Sequence, residues 1–212
     1  MAEMEIIETT SSGETSFSRR NFIKGVIATG AAVSSSGYVL RDGAEAIAQS
    51  AAGSVDRLIT LNVNGQTRRV DVTKQETLVM TLRYKLGLTG TKIGCDRAEC
   101  GSCTVLLDGV PHYACSVLTH NVRGRLVTTI EGLEQADGTL HPMQQAVVDE
   151  QGFQCAFCMP GFIMSTVALL NDNPNPTRQE AAQALSGNLC RCADYEKILT
   201  SVMRAAEYTR RS

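Results

Sequence analysis

The sequence predicts an α+β protein, with a small β-grasp domain followed by an all-α four-helix-bundle domain. Two observations support this fold class. Between residue 57 and about residue 130, apolar and polar residues alternate in short runs, as in strands with one buried face. Beyond residue 136, apolar residues instead recur at helical spacing. We therefore expect a leader at 1–48, a linker at 49–56, the β-grasp domain at 57–135 and the helical domain at 136–212.

The β-grasp domain is predicted to begin with a hairpin and a helix. The segment RLITLNVNGQTRRVDV, residues 57–72, alternates in polarity and turns at Asn64-Gly65, a dipeptide that favours two-residue hairpin loops. Three leucines spaced four residues apart then share one face of a predicted helix that ends at Gly87. These leucines are Leu78, Leu82 and Leu86.

Three further strands are predicted after this helix. Residues 102–107 and 110–114 flank a tight turn at Asp108-Gly109, and residues 126–130 form the last strand. A helix laid over such strands describes a β-grasp sheet. In this arrangement the loop at 94–103 lies between the helix and the sheet.

Four helices are predicted in the helical domain, each from a start signal, which is either proline in the first turn or a capping side chain. The prolines are Pro142 and Pro160, and the capping residues are Thr177, with Glu180 three positions later, and Asp194. The last three helices are expected to end at Asn173, at Gly187 and at about Tyr208.

Composition excludes several classes of function. The 212 residues carry a formal net charge of −2, with acidic and basic residues nearly balanced, so nothing favours binding to nucleic acid. No apolar run reaches the roughly 18 residues expected of a membrane-spanning helix, so no transmembrane segment is predicted. Eight cysteines accompany no tryptophan and only five phenylalanines. The many cysteines and few large aromatic residues indicate that cysteines, rather than a large aromatic core, fix the conformation of the loops.

The N-terminus has the pattern of a twin-arginine export signal. Residues 18–24 read SRRNFIK, and a mildly apolar stretch follows at 25–40. An A-x-A site at 46–48 predicts cleavage before Gln49, and a second such site lies two residues earlier. Because this route resembles one that carries folded proteins, a periplasmic location is expected. The alternative is an ordinary amphipathic helix with a chance arginine pair.

Three cysteines lie on one short glycine-containing loop, GCDRAECGSC, at residues 94–103. Their spacing is C-x4-C-x2-C, and a fourth cysteine follows after a predicted strand. The four are Cys95, Cys100, Cys103 and Cys115. Plant-type ferredoxins hold a [2Fe-2S] cluster with this arrangement of thiolates. Electron transfer is therefore the first functional hypothesis, with these four residues as metal ligands.

The other four cysteines lie where helices are predicted to begin. Cys155 and Cys158 form C-x2-C just before Pro160, and Cys190 and Cys192 form C-x-C between the third and fourth helices. Helix N-termini direct N–H groups at thiolates and offset their negative charge. Two such turns, brought together, would form a second four-thiolate metal site.

Three alternatives are open at this stage. An exported chain with eight cysteines could be a disulfide-stapled binding module, although such modules are usually shorter than about 80 residues. The cysteine pairs could instead hold a structural zinc ion. A free-standing exported carrier with two clusters would have the same ligands as a subunit of a larger complex.

The order of these motifs is similar to that in the small iron-sulfur subunit of the xanthine oxidase family of molybdenum hydroxylases. Local blocks match over nearly all of the chain beyond the leader: GCDRAECGSCTVLLDG, IEGL, HPMQQA, FQCAFCMPGF and SGNLCRC. With an export signal ahead of them, they most resemble the iron-sulfur subunit of a periplasmic aldehyde oxidoreductase. The resemblance implies a ferredoxin-like β-grasp domain and a four-helix bundle, each with one [2Fe-2S] cluster.

The resemblance also implies partners. A large subunit would hold a molybdopterin-type cofactor and oxidise an aldehyde or an N-heterocycle. Electrons would pass through the helical-domain cluster and then the β-grasp cluster, to FAD in a third subunit or to a cytochrome. Gln154 and Cys192 would lie near the pterin as cofactor-binding residues. The chain would thus be an oxidoreductase subunit without a catalytic residue of its own.

Two residues depart from the family block QCGFCTPG. Ala156 replaces glycine and is expected to have a backbone conformation that tolerates a β-carbon, whereas Met159 removes a hydroxyl able to cap the next helix.

Asp96, Arg97 and Glu99 are expected to form an exposed rim that contacts the acceptor. Three isolated histidines in no catalytic motif are predicted to be structural: His112, His120 and His141.

Overall fold

The two halves of the chain form different secondary structure, as the change of hydrophobic period predicts. The computed structural model describes residues 57–211, together with residues 23 and 24. The predicted linker, and the predicted export signal apart from those two residues, lie outside the described residues. Residues 57–211 belong to one compact unit. None of the helices in the described part of the chain is long and apolar enough to cross a bilayer.

A mixed five-stranded sheet forms the first half. Its strands, in sheet order, run β2-β1-β5-β3-β4, and all neighbours are antiparallel except β1 and β5. The bounds are β1 Leu58–Val63, β2 Gln66–Asp71, β3 Thr104–Leu107, β4 Val110–Tyr113 and β5 Leu126–Thr128.

The β1–β2 hairpin confirms the local prediction. Asn64 and Gly65 have φ of 52° and 73°, the pair of left-handed residues that a two-residue hairpin turn requires. The alternation in β1 is also as predicted, because every second residue is buried and the others are exposed. The buried residues are Ile59, Leu61 and Val63.

The segment after the hairpin differs from the prediction of one regular helix. A single turn, α1 (Leu78–Met80), continues as a π-helical stretch, Thr81–Lys85. The N–H of Leu86 donates to the carbonyl of Thr81 at 3.0 Å, five residues back. The Thr81 hydroxyl is buried and bonded to Thr119 at 2.8 Å, a tertiary contact that the leucine spacing does not reveal.

The three strands after the helix are shorter than predicted, and β4 ends at Tyr113, one residue before its predicted end. β3 begins at Thr104 because Ser102 belongs to the cysteine loop, where its carbonyl accepts a hydrogen bond from the N–H of Lys92 at 3.3 Å. β5 ends at Thr128, and a 3-10 turn, Ile130–Gly132, takes the place of its predicted end.

The second half is helical, with α2 (Pro142–Asp149), α3 (Met159–Asp172), α4 (Arg178–Ala184) and α5 (Tyr195–Arg211). The capping box before α4 is confirmed, since the N–H of Glu180 donates to Thr177 Oγ1 at 3.2 Å and the N–H of Thr177 donates back to Glu180 Oε2 at 2.7 Å. The predicted side-chain cap before α5 is wrong. Asp194 Oδ2 is buried and has no hydrogen-bond partner among residues 57–211. The Asp194 carbonyl accepts a helical bond from the N–H of Ile198 at 3.0 Å.

The helix ends also differ from the prediction in two places. α4 stops at Ala184, three residues before Gly187, because Ser186 and Asn188 donate to carbonyls three residues back and close a tight turn. α5 runs to Arg211, beyond Tyr208.

Two groups of buried apolar side chains form the interior. One is built on the sheet and α1, and the other on α2 to α5. β3 joins them, because its four residues are all buried. Val105 and Leu107 point into the sheet core, whereas Leu106 points into the helical core. One face of β3 is therefore covered by the helical half.

His141 has a structural place at the start of α2. Its Nδ1 accepts a hydrogen bond from the N–H of Met143 at 3.2 Å, and the N–H of His141 donates to Gln144 Oε1 at 2.9 Å. The ring therefore acts as the N-cap, and it can do so only while Nδ1 is unprotonated.

Acid is expected to weaken the fold through this cap. Burial lowers the pKa of His141 below its usual 6.5, so the unfolded chain binds this proton more readily than the folded chain. The His141 cap should therefore contribute fully to the free energy of unfolding above about pH 6.5. This contribution should be lost as the pH falls towards the pKa of His141 in the folded chain. His141→Asn keeps a capping oxygen that does not titrate. Urea unfolding at pH 7.5 and 5.5 should show a smaller acid loss in this variant, and equal losses would contradict the assignment.

Candidate metal centres

The loop between the π-helical stretch and β3 carries three cysteines of the first group, and the fourth follows β4. Three backbone N–H groups point at the thiol of Cys95, from Arg97 at 3.4 Å, Glu99 at 3.3 Å and Cys100 at 3.4 Å. The N–H of Ala98 donates to Cys115 Sγ at 3.2 Å. The loop thus directs several backbone N–H donors at its sulfur atoms.

Left-handed residues turn these N–H groups inward. Asp96, Ala98 and Gly101 have φ of 55°, 59° and 69°. Alternation of left-handed and ordinary backbone conformations forms a concave nest of N–H groups, which favours anions. The first loop therefore has the electrostatics that four thiolates and their sulfides require.

The thiols of the first group differ in acidity. Burial opposes ionisation of Cys95, but the backbone N–H groups of Glu99, Arg97 and Cys100 outweigh it and lower the pKa of this thiol to about 7. Burial raises the pKa of the Cys103 thiol to about 12. The Cys95 thiol is therefore far more readily ionised than the Cys103 thiol, and it is the thiolate form that binds metal.

The second group is built from two helix starts, as predicted. Cys158 is the N-cap residue of α3, and Cys190 and Cys192 precede α5. The backbone N–H of Phe157 lowers the pKa of the exposed Cys155 thiol. Burial raises the pKa of the Cys158 thiol to about 12. Each group thus contains a thiol whose pKa is lowered by backbone N–H groups and a thiol whose pKa is raised by burial.

The two departures from the family block have structural outcomes. Ala156 has φ of 60°, the left-handed conformation that favours glycine, so the expectation that its backbone readily tolerates a β-carbon is wrong. Ala193 has the same conformation, with φ of 61°, directly after Cys192. Met159 lies inside α3, one position after the N-cap residue Cys158. Methionine at this position therefore does not remove a capping hydroxyl from the helix.

The thiols approach one another in pairs. Cys95 lies within hydrogen-bond reach of Cys100, and Cys103 of Cys115. In the second group the pairs are Cys155 with Cys192, and Cys158 with Cys190.

This pairing of the thiols favours a two-iron cluster over disulfide bonds or a zinc site. All eight cysteines are free thiols, which does not support a disulfide-stapled module. Across residues 57–211, no three histidine, cysteine or acidic side chains converge where one ion could bind them, as tetrahedral zinc requires. Two pairs of thiolates match a [2Fe-2S] cluster, in which each iron takes two of them.

The two cysteine groups face a common cavity of about 410 Å³, which Cys95 and Cys100 line from one side and Cys155, Cys158 and Cys190 from the other. A direct hydrogen bond crosses between the groups. The N–H of Leu189, the residue before Cys190, donates to the carbonyl of Cys100 at 2.9 Å.

Close backbone packing holds this contact. Gly161 of α3 lies against the backbone of Gly101, and a β-carbon on Gly161 would overlap the Gly101 carbonyl oxygen. Asn188 Nδ2 donates to that carbonyl at 3.1 Å, and Ser165 Oγ is 2.9 Å from Asn188 Oδ1. The absence of a side chain on Gly161 is what lets α3 approach the first cysteine loop.

The structure brings the two predicted pterin-side residues together. Gln154 Nε2 donates to the carbonyl of Cys192 at 3.4 Å, and Gln154 is exposed. On the first loop, Asp96, Arg97 and Glu99 are exposed, as the rim prediction requires.

The other two histidines stand apart from both groups of thiols. His112 Nδ1 lies 2.9 Å from the carbonyl of Val110, two residues earlier. His120 Nε2 is buried and has no hydrogen-bond partner in the described part of the chain.

Sequence reasoning missed three residues that shape the site: Gly161, Asn188 and Tyr195. Asn188 stands in the block SGNLCRC and Tyr195 three positions after Cys192, so proximity to the cysteines was the available signal. The sequence did not indicate the role of Gly161, because glycine can occur near a helix start for many reasons.

Comparison with known proteins agrees with this geometry. Residues 61–124 match the family described as a 2Fe-2S iron-sulfur cluster binding domain, and residues 129–203 match a [2Fe-2S] binding domain. The nicotine 6-hydroxylase small subunit of Paenarthrobacter nicotinovorans is 45% identical over 147 residues, which are 69% of this chain and 88% of that protein.

Two further similarities point the same way. The aldehyde oxidoreductase iron-sulfur-binding subunit PaoA of Escherichia coli is 42% identical, over 70% of this chain and 71% of that protein. The crystal structure of quinoline 2-oxidoreductase from Pseudomonas putida 86 superposes with a TM-score of 0.70 and 38% identity, and covers 74% of this chain and 99% of that one.

Proposed function

Because this chain belongs to the iron-sulfur small subunits of xanthine oxidase-family molybdenum hydroxylases, we propose that it carries electrons through two [2Fe-2S] clusters within such an oxidoreductase complex. The proposal includes the β-grasp arrangement of the first domain and the four-helix-bundle arrangement of α2 to α5. The observation that carries it is the hydrogen bond from the Leu189 N–H to the Cys100 carbonyl, since it joins the two cysteine groups directly.

Each group of four thiols is assigned one cluster. The first cluster takes Cys95, Cys100, Cys103 and Cys115, and the second takes Cys155, Cys158, Cys190 and Cys192. The inward N–H groups of the first loop and the helix starts of the second offset the negative charge of thiolates and sulfides. Added electrons raise that charge, so both environments also stabilise the reduced state.

The hydrogen bond supplies a short path between the clusters. It runs from the backbone of Cys190 through Leu189 to the carbonyl of Cys100, with no side chain in between. The packing of Gly161 on Gly101 keeps the two backbones in contact. The protein's contribution to electron transfer is thus to hold two sites at a fixed separation.

The second cysteine group is proposed to face the large molybdopterin-binding subunit. Phe153, Phe157 and Leu189 around it are large apolar residues that are 42%, 46% and 53% exposed. Such a concentration of exposed apolar side chains is typical of a contact with another protein. Gln154 and Cys192 lie in this region and are proposed to contact the pterin. When bound in the partner, the molybdenum cofactor would supply the hydroxylation of an aldehyde or an N-heterocycle.

The first cysteine group is proposed to face the electron acceptor, either an FAD-binding subunit or a cytochrome. Asp96, Arg97 and Glu99 give this rim both signs of charge in exposed positions. Charged residues at a contact rim chiefly favour correct orientation and fast association, which suits an electron-transfer partner.

A periplasmic location is proposed from the twin-arginine pattern in the leader. The measurement is subcellular fractionation of cells that produce the full chain, with N-terminal sequencing of the recovered protein. We expect periplasmic protein that begins at Gln49. Cytoplasmic protein with the leader intact would contradict this location and leave the electron-transfer proposal untouched.

The test of function is purification of the chain from cells that also produce its complex, followed by metal and sulfide assay. We expect a brown protein with about four iron and about four sulfide per chain, two EPR signals on reduction and a copurifying molybdenum subunit. Colourless protein with blocked thiols would contradict the cluster assignment. Two clusters without any molybdenum subunit would favour the free-standing carrier instead.

A further inference from the structure

Tyr195 places a hydroxyl group against the second cysteine group. It is the first residue of α5 and follows Cys192 by three positions. Its Oη accepts a hydrogen bond from the backbone N–H of Cys190 at 2.9 Å. Its side chain lines the cavity of about 410 Å³ together with Cys155 and Cys158. The phenol is therefore held beside the thiols by the backbone of one of the proposed ligands.

The helical core holds the ring of Tyr195 from its other side. The ring makes an edge-to-face contact with Phe162, with 6.3 Å between the ring centroids and 73° between the planes. Phe162 is only 1% exposed and belongs to α3, which also carries Cys158 at its start. Both helices that begin at the second group thus set the place of the hydroxyl.

The hydrogen of this hydroxyl has no acceptor in the part of the chain that the structure describes. A phenolic hydroxyl donates one hydrogen bond and accepts others, and the bond from Cys190 occupies an acceptor position. Among residues 57–211, no group accepts the Tyr195 O–H. Tyr113 and Tyr208 differ, because they donate to the Gly187 carbonyl at 2.9 Å and to Asp149 Oδ2 at 2.7 Å.

We propose that the Tyr195 hydroxyl donates a hydrogen bond to a sulfur atom of the cluster held by the second group, and thereby raises the reduction potential of that cluster. This inference rests on the proposed function. Reduction adds negative charge to the cluster, so a donor aimed at its sulfur stabilises the reduced form more than the oxidised form. The Tyr195 hydroxyl thereby makes the second cluster a better electron acceptor.

The test is Tyr195→Phe in the assembled complex, because phenylalanine keeps the ring contact with Phe162 and removes only the hydroxyl. In an EPR-monitored redox titration, we expect the reduced-to-oxidised ratio of one cluster at a fixed potential to fall about tenfold, or about 59 mV for a one-electron couple. The other cluster should keep its potential. Tyr208→Phe is the matched control on the same helix and should change neither.

A second measurement separates this role from simple support of the loop. Electron-nuclear double resonance of the reduced wild-type protein should show a coupled proton that exchanges in D2O and is missing in Tyr195→Phe. Should the phenylalanine variant fail to load, monofluorotyrosine at position 195 retains the shape and is a stronger donor. We expect it to raise the potential of the same cluster.

The proposal for Tyr195 is overturned if a loaded Tyr195→Phe protein keeps both potentials and the exchangeable coupling, or if monofluorotyrosine leaves the potential unchanged. Neither outcome touches the proposed function, because the wild type would still show two clusters. Wild-type protein without iron, sulfide and two EPR signals would instead overturn the proposed function.

Discussion

Cys100→Ala is expected to remove one of the two EPR signals and to lower the iron content from about four to about two per chain. Cys100 lies in the first group, where its thiol is paired with that of Cys95, and its loss leaves one iron site with a single thiolate. Alanine is preferred to serine because a serine oxygen can itself bind iron. The second signal should persist, since the four thiols of the other group come from helix starts that this substitution does not touch.

The complementary variant is Cys155→Ala, which should remove the other signal and leave the first. Ser116→Ala, next to Cys115 but exposed, is the control and should keep both signals and all the iron. Loss of both signals from folded Cys100→Ala protein would show that the two sites do not load independently. That result would exclude the assignment of separate four-thiol groups.

Gly161→Ala is expected to destabilise the protein by about 1–3 kcal/mol, the usual cost of overpacking a close contact. The expected sign is opposite to that of an ordinary helix, where alanine is better than glycine by about 1 kcal/mol. The new β-carbon would overlap the Gly101 carbonyl and lie 3.0 Å from the Ser102 α-carbon, so α3 and the first loop must separate. Chemical unfolding measures the loss of stability.

The same separation should lengthen the hydrogen bond from Leu189 to Cys100 and slow electron transfer between the clusters, as stopped-flow reduction followed by freeze-quench EPR would show. Gly109→Ala is the matched control. Gly109 has φ of 85° in a hairpin turn with open space around it, so alanine there costs stability through backbone strain alone. If the Gly161→Ala protein is destabilised but transfers electrons at an unchanged rate, the Gly161 to Gly101 contact does not contribute to electron transfer between the clusters.

Local chemistry made several elements predictable. Asn64-Gly65 favours the two-residue turn whatever surrounds it, and Thr177 with Glu180 caps α4 through atoms three residues apart. The helix after the hairpin shows where such reasoning stops. Its leucine spacing indicates helix but not the shift to π-helical hydrogen bonds, which accompanies a buried contact between Thr81 and Thr119. Asp194 is similar, because its position suits a cap but its Oδ2 atom is buried and has no partner within the described residues.

Cysteine spacing predicted two four-thiol groups and their order along the chain, because metal ligation imposes short fixed intervals on a loop or a helix start. The sequence blocks around and between the cysteines indicated the family. Only the tertiary structure decided how the groups face each other. The Leu189 to Cys100 hydrogen bond and the Gly161 to Gly101 contact both depend on how the helical half packs against the first cysteine loop. Residues 60 to 90 positions apart meet there through the shape of two buried surfaces, which no local pattern in the chain encodes.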